Sequence, residues 1–204
     1  DKNFYEIAYA FNRQFGESGI YRGLPLYNFA DNHDVDRVAS KLDNPAYLTT
    51  LCALLFTMPG IPSIYYGSEF GITGEKTDGS DTALRPCLDL RQLQTNCPQP
   101  RLPAWIARLA QVRRHTPALR YGDYHQLYVS HQQLAFLRRF EKDITIVVIN
   151  AAPETVDVSI PYPLDPGIGL KELLQNGEIS LAGSSTLTIT MLPNSASILN
   201  SSYP

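Results

Sequence analysis

In the first part of the chain, the spacing of apolar residues is typical of helices and buried strands. In the second part, it is typical of short strands. Residues 3–15 place apolar side chains at helical spacing, which predicts an amphipathic helix. Residues 24–30 form a nearly uninterrupted apolar run, which is typical of a strand buried on both faces. Asn44 and Pro45 suit a helix start, and the apolar run AYLTTLCALLFTM that follows predicts a helix packed on a sheet.

A second apolar strand is predicted at residues 61–66, directly after that helix. A strand, a helix and a strand joined by short connections indicate parallel pairing. We therefore expect 24–30 and 61–66 to be adjacent parallel strands, with 45–58 as the crossover helix. Two such strands need neighbours on both sides, so this part of the chain is predicted to lack sheet partners.

The pattern changes after a polar loop at about 71–101 and an amphipathic helix at 102–115. Short β-rich segments then follow one another with turn residues and no helix between them, a pattern that predicts an antiparallel β-sandwich. These segments are 123–129, 134–140, 144–150, 155–160, 186–191 and 196–199. We expect two domains, residues 1–118 and residues 119–204, docked through the 102–115 helix.

Composition excludes several classes of partner. The 204 residues are 44% hydrophobic and 18% charged, the balance of a folded globular protein. A net charge of -3 with scattered Lys and Arg offers no basic surface to nucleic acid or to anionic lipid. No apolar run reaches the roughly twenty residues that span a bilayer. We expect a neutral or weakly charged ligand, no nucleic acid and no membrane.

The cysteine count bears on the compartment. Three cysteines are too few for a disulfide framework, and Cys52 lies inside an apolar stretch. A bridge between Cys87 and Cys97 stays open. The count favours a reducing compartment, hence the cytoplasm, and an extracellular location also stays open. The chain begins at Asp1 rather than Met, so we expect a processed chain, a trimmed one or a proteolytic fragment.

The densest group of ionisable side chains, residues 31–37 with the sequence DNHDVDR, directly follows the first predicted strand. In parallel α/β folds, chemistry collects at the carboxyl ends of the strands. An isolated Asp or His there is usually a solvated loop residue, but four consecutive polar groups next to a buried strand all need partners. Metal binding by His33, Asp34 and Asp36 is an alternative. Adjacent residues rarely converge on one ion, and we predict no metal.

Two motifs at these strand ends carry a resemblance. FADNHDVDR resembles the F-x-x-N-H-D-x-x-R motif at the seventh barrel strand of the alpha-amylase family of glycoside hydrolases. MPGIPSIYYGSE is similar to the G-x-P-x-I-Y-Y-G-x-E motif at the eighth strand, and WIARLAQVRRHTPALRYGDY resembles the last barrel helix and its continuation into a β domain. The resemblance implies an α/β plus all-β protein. It comprises the C-terminal part of a (β/α)8 TIM barrel followed by an antiparallel β-sandwich.

The resemblance also implies roles for single residues. Asp34 matches the catalytic carboxylate that binds sugar hydroxyls and stabilises the transition state. His33 matches the histidine that hydrogen-bonds the same sugar. Asn32 and Arg37 match positions that orient the loop, and with Tyr66 they complete the predicted substrate-binding residues. Ser68 replaces the more common Asp before Glu, which leaves the role of that position open.

The nucleophile and the general acid of a retaining glycosidase lie roughly 5 Å apart, and in this family they come from the fourth and fifth strands, before residue 1. We therefore expect part of a retaining enzyme for α-glucosidic bonds of maltodextrin or starch. Alone it should be inactive, and it should need the N-terminal part of the barrel or a second copy, but no cofactor. The alternatives are a non-catalytic carbohydrate-binding or interaction module, and a regulatory or transporter-associated relative without catalysis. The sequence does not decide whether the enzyme hydrolyses or transfers the glycosyl group. It also does not decide between α-1,4 and α-1,6 specificity.

Overall fold

The computed structural model describes residues 3–162, 168–174, 177–182 and 185–201. The first part of the chain contains helices and a two-stranded sheet, and strands make up the second part. The first part contains α1 (Phe4–Phe15), β1 (Tyr27–Asn28), α2 (Val38–Lys41), α3 (Tyr47–Thr57), β2 (Ile61–Pro62), α4 (Leu90–Thr95), α5 (Leu102–His115) and α6 (Pro117–Tyr121). The second contains β3 (Asp123–Val129), β4 (Gln133–Phe140), β5 (Asp143–Asn150), β6 (Val156–Pro161), β7 (Lys171–Glu172), β8 (Gly177–Ala182), β9 (Thr186–Met191) and β10 (Ser195–Asn200).

Strands β1 and β2 pair in parallel, with Tyr27 opposite Ile61 and Asn28 opposite Pro62. The predicted parallel pair with α3 as its crossover is thus confirmed. Both strands are shorter than the apolar runs that predicted them, and Pro62 has no N–H with which to extend the ladder. Tyr27 and Ile61 are exposed on this sheet. In the described ranges neither strand has another partner.

The second part is a sandwich of two antiparallel sheets, ordered β3-β4-β5-β10-β7 and β6-β9-β8. Strands β4 and β5 read as continuous apolar runs because they are buried on both faces. Phe136 and Val147 face the helices and join the core there, whereas Leu137 and Ile146 face the three-stranded sheet. The predicted β-sandwich is confirmed, and its larger sheet takes part in two cores.

The two parts dock through α1, α3 and α6, which pack on the five-stranded sheet. The prediction that the 102–115 helix docks the two parts was wrong, since this helix does not form the main contact between them. The apolar face of α5 is covered by α3, where the Trp105 indole donates to the Thr49 carbonyl at 3.0 Å. Helix α3 is apolar nearly all round because it lies between α5 and the sheet.

Two buried arginines cap the C-terminal end of α3. Arg113 Nη1 donates to the Phe56 carbonyl at 2.7 Å, and Arg138 Nη1 donates to the Thr57 carbonyl at 2.5 Å. These carbonyls have no partner within the helix and carry the negative end of its dipole. Burial lowers the pKa of Arg113 to about 10 and that of Arg138 to about 9, so both remain cations at neutral pH.

Substitution Arg138→Met is expected to lower the free energy of unfolding by about 2–4 kcal/mol. The Thr57 and Gly122 carbonyls, which both accept from this guanidinium, would stay buried without a donor. Denaturant unfolding of the full-length protein measures the change. Arg139→Met, at the exposed neighbouring position, is the matched control and should be nearly neutral. Equal stability of the two variants would contradict this role of Arg138.

Within the described ranges, no helix is long and apolar enough to cross a membrane. The three cysteines are free thiols: Cys52 is buried, Cys97 partly buried and Cys87 exposed. Burial, and secondarily the charge of Asp31, raises the pKa of Cys52 to about 12, so its thiol is unreactive at neutral pH.

Candidate functional site

The chain segments that follow β1 and β2 meet at one edge of the parallel sheet and are joined by Asp31. This carboxylate is buried, and its Oδ2 accepts from Ser68 Oγ at 2.8 Å and from the Val38 N–H at 3.0 Å. The sequence left the role of Ser68 open. In the structure its hydroxyl links the segment after β2 to the motif after β1.

A tight turn presents His33 and Asp34 above this edge. The Asn32 side-chain oxygen accepts from the Asp34 N–H at 2.8 Å, which is the hydrogen bond of an Asx turn. His33 Nε2 lies 3.1 Å from Asp34 Oδ2, and the two side chains are 60% and 61% exposed. The turn therefore holds an imidazole and a carboxylate side by side in the open. Asn32 serves the turn, and a contact with substrate stays a prediction for this residue.

Arg85, from the long loop after β2, reaches back over the same turn. Its Nη2 donates to Asp34 Oδ1 at 3.1 Å and to Asp81 Oδ2 at 3.0 Å, and its Nε donates to the His33 carbonyl at 3.1 Å. Asp34 is thus fixed through one oxygen by His33 and through the other by Arg85. Neither Arg85 nor Asp81 was predicted from the sequence. The available signal was an Asp and an Arg four positions apart within a loop expected near the strand ends.

Arg37 lies underneath the turn and is completely buried. Its Nη1 donates to the Tyr66 carbonyl at 2.5 Å, its Nη2 donates to the Leu84 carbonyl at 2.7 Å, and its guanidinium stacks 4.3 Å from the Tyr65 ring centroid. This corrects the prediction that Arg37 contacts substrate. No part of it reaches solvent, so it acts as a positioning residue that ties the motif to the second strand end and to the loop.

Tyr66 stands at the rim of this edge and is 43% exposed. Its hydroxyl donates to the Pro86 carbonyl at 3.0 Å, and its ring meets Tyr65 edge-on with centroids 4.7 Å apart. The hydroxyl therefore anchors the long loop. Stacking of Tyr66 on a sugar stays a prediction.

The metal alternative finds no support in the geometry. Asp36 turns away from Asp34, since it pairs with Lys41 Nζ at 2.5 Å and accepts from the Lys76 N–H at 2.6 Å. The hydrogen bond from Lys41 is the main cause that lowers the pKa of Asp36. In the described ranges, no three His, Cys, Asp or Glu side chains form a group that could hold a metal ion.

The arrangement can stabilise positive charge but has no pair of free carboxyl groups. Asp34 and Asp81 both accept from the Arg85 guanidinium, so neither is an unpaired nucleophile or acid. A fixed carboxylate stabilises developing positive charge more than the neutral ground state. Retaining glycosidases need two further carboxyl groups for bond cleavage. These side chains can therefore supply the charge-stabilising part of such a site.

Comparisons with known proteins find matches to both parts of the chain. The family model described as "Alpha amylase, catalytic domain" matches residues 17–122, and "Maltogenic Amylase, C-terminal domain" matches residues 124–198. A cyclomaltodextrin glucanotransferase of Geobacillus stearothermophilus is 32% identical over 70% of this chain and 19% of its own length. An alpha-amylase of Niallia circulans is 31% identical over 60% of this chain and 21% of its own.

Solved structures extend the similarity to nearly the whole chain. The crystal structure of an Anoxybacillus alpha-amylase superposes with a TM-score of 0.77 at 26% identity, covering 98% of this chain and 46% of that one. This chain therefore spans about a fifth of the length of the curated relatives and less than half of that solved structure.

Proposed function

Because this chain belongs to the alpha-amylase family of glycoside hydrolases, we propose that it is part of a retaining enzyme that cleaves α-glucosidic bonds of maltodextrin- or starch-type substrates. Its similarity to a cyclomaltodextrin glucanotransferase and to an alpha-amylase supports that substrate class. Hydrolysis and transfer share the same first step, so the proposal covers both.

The observation that carries the proposal is the pairing of His33 with Asp34 above the carboxyl end of β1. Cleavage of a glycosidic bond passes through an oxocarbenium-like transition state that carries positive charge on the sugar ring. Asp34 lies in the open, where a sugar can reach it, and both of its oxygens are oriented by neighbours. Its negative charge stabilises that transition state, while His33 donates a hydrogen bond to a ring hydroxyl.

Arg85 orients Asp34 in this proposal and does not remove its charge. The guanidinium donates to Asp34, to Asp81 and to the His33 carbonyl, so three hydrogen bonds fix its position. All of these side chains are partly exposed, so the ion pairs contribute little to stability. Their contribution is geometric, because a carboxylate that is already in place needs no reorganisation during the reaction.

The nucleophile and the general acid come from other barrel strands of a longer protein in this proposal. The exposed Tyr27 and Ile61 on the β1–β2 sheet support it, because further strands would cover them. The share of the relatives that this chain spans, about a fifth, also supports it. The partner of the described sheet is then the remainder of the same barrel.

The proposed activity is tested with the longer protein that contains this chain. It is incubated with maltodextrin, and the products are followed by proton NMR before mutarotation. We expect either new reducing ends in the α-anomeric form or α-linked transfer products, since both outcomes retain configuration. Initial formation of the β-anomer would contradict the retaining mechanism. Saturable maltodextrin binding without any change in the chains would instead identify a non-catalytic binding module.

A further inference from the structure

Three buried polar side chains form a cluster beneath the turn that carries Asp34. They are Asp31, Arg37 and Ser68, and all three are buried within the described chain. Strands added to the sheet would bury these groups further and would expose none of them, so their burial does not result from the length of this chain. A buried guanidinium is costly unless negative charge or hydrogen-bond acceptors surround it. The partners of Arg37 are therefore informative.

The hydrogen bonds of the Arg37 guanidinium lead to a carboxylate. Its Nη1 lies 3.3 Å from the Ser68 hydroxyl, to which it donates, and this hydroxyl donates to Asp31 Oδ2 at 2.8 Å. The other acceptors of the guanidinium, the Tyr66 and Leu84 carbonyls, carry no full charge. Within the described ranges, Asp31 is thus the carboxylate to which hydrogen bonds connect Arg37.

A serine suits the position between the two charged groups. A hydroxyl accepts one hydrogen bond and donates another, which an alanine or a carbonyl group cannot do. Donation from a cation polarises the O–H bond and strengthens its own donation to the carboxylate. The attraction between the two charges is also stronger in a buried place than in water. The hydroxyl of Ser68 therefore transmits the charge of Asp31 towards Arg37.

Asp31 also holds the turn at its base. Its Oδ2 accepts from the Val38 N–H at 3.0 Å, which closes residues 31–38 into a loop. His33 and Asp34 lie in the exposed part of this loop. A displaced carboxylate at the base would therefore move the two side chains that the proposed reaction uses.

The residue type at position 68 is an independent observation. Ser68 stands where the alpha-amylase family more commonly has an Asp before the Glu. A carboxylate at this position would lie next to the Arg37 guanidinium and would pair with it directly, without a hydroxyl between them. It would also lie beside Asp31, because the Ser68 Oγ is 2.8 Å from Asp31 Oδ2. Two buried carboxylates this close repel each other, so the cluster accommodates one.

We propose that Asp31 and Ser68 are positioning residues for Asp34, and that Asp31 supplies the buried negative charge for Arg37 in place of an Asp at position 68. The carboxylate has exchanged places between the segments that follow the two neighbouring strands, and the cluster keeps one carboxylate for one guanidinium. The inference rests on the proposed function, because the cluster serves the reaction by holding the turn of Asp34.

The test is an exchange of the carboxylate in the longer protein that contains this chain. Asp31→Asn removes the charge and keeps the shape, whereas Ser68→Asp adds a second carboxylate. We expect each single variant to lower kcat on maltodextrin about tenfold or more, because a small displacement of a reacting group is costly. KM should change little, since neither side chain reaches the substrate. The double variant Asp31→Asn/Ser68→Asp should recover most of the kcat and of the resistance to denaturant, because the two sites are coupled.

The matched control is the double variant Asp36→Asn/Ser68→Asp. It has the same net charge as the exchange variant, but Asp36 pairs with Lys41 outside the cluster. We expect no recovery in this control. Initial rates give kcat and KM, and denaturant unfolding gives the stability of each variant.

Recovery in the exchange variant but not in the control supports the proposal. The proposal is overturned if the exchange variant is no better than Ser68→Asp alone, or if the control recovers equally. It is also overturned if Asp31→Asn is folded and turns over maltodextrin at the wild-type rate, because the cluster would then serve the fold alone. A wild-type protein without activity on maltodextrin would contradict the proposed function instead, and the unfolding curves would still decide whether the carboxylate can be exchanged.

Discussion

Replacing Asp34 with Asn in the full-length protein is expected to lower kcat on maltodextrin by about 10²–10³-fold, the usual loss when a preorganised charge-stabilising group is removed. The amide keeps the shape of the carboxylate but cannot offset positive charge on the sugar ring. The side chain is 61% exposed, so the substitution should leave the fold unchanged. Initial rates at saturating substrate, with unfolding curves for each variant, give the measurement.

Asp36→Asn is the matched control, because this carboxylate lies two positions away in the same motif. It pairs with Lys41 and is turned away from the proposed sugar position. Its variant should keep kcat within a few-fold of the wild type. If Asp34→Asn were equally active, Asp34 would be an ordinary solvated loop residue and the proposed function would lose its main support.

Replacing Arg37 with Met is expected to lower both stability and turnover. The Tyr66 and Leu84 carbonyls would lose their buried donor, which costs about 2–4 kcal/mol of unfolding free energy. Leu84 directly precedes Arg85, so the group that orients Asp34 would also lose its anchor. We expect kcat to fall about tenfold or more even at temperatures where the variant is fully folded.

The conservative variant separates positioning from stability alone. Lys has one ammonium group and cannot span both carbonyls as the planar guanidinium does. Arg37→Lys should therefore recover part of the stability while kcat stays low. If kcat returned to the wild-type value in Arg37→Lys, or stayed unchanged in folded Arg37→Met, then Arg37 would only stabilise the fold.

The sequence predicted those features that depend on local patterns. The apolar runs around residues 24–30 and 61–66 led to the parallel pair, and the alternation after residue 121 led to the sandwich. The same runs overestimated strand length, because an apolar run reports burial and does not report hydrogen-bonded pairing. Only two residues of each run form the β1–β2 ladder.

The features that the sequence missed depend on contacts between distant residues. Arg85 contacts Asp34 from a loop whose sequence has no periodicity, so the spacing of residues in the sequence does not predict this contact. Arg37 carries a charge, and charged residues are usually exposed. Its complete burial depends on carbonyl groups of two other segments, which no side-chain pattern reveals. The Asx turn at Asn32, by contrast, uses a residue type that favours such turns.

The double-faced burial of β4 and β5 has a consequence for how the molecule loses its structure. Phe136 contributes to the core beneath the helices, while its neighbour Leu137 contributes to the core between the sheets. Melting of either core exposes one face of the same strands and so weakens the other. The change of sequence pattern near residue 121 therefore does not mark a boundary at which the two parts unfold separately. The helical part and the sandwich should melt as one cooperative unit, and a domain exchange that cut the chain there would leave both halves with an uncovered apolar face.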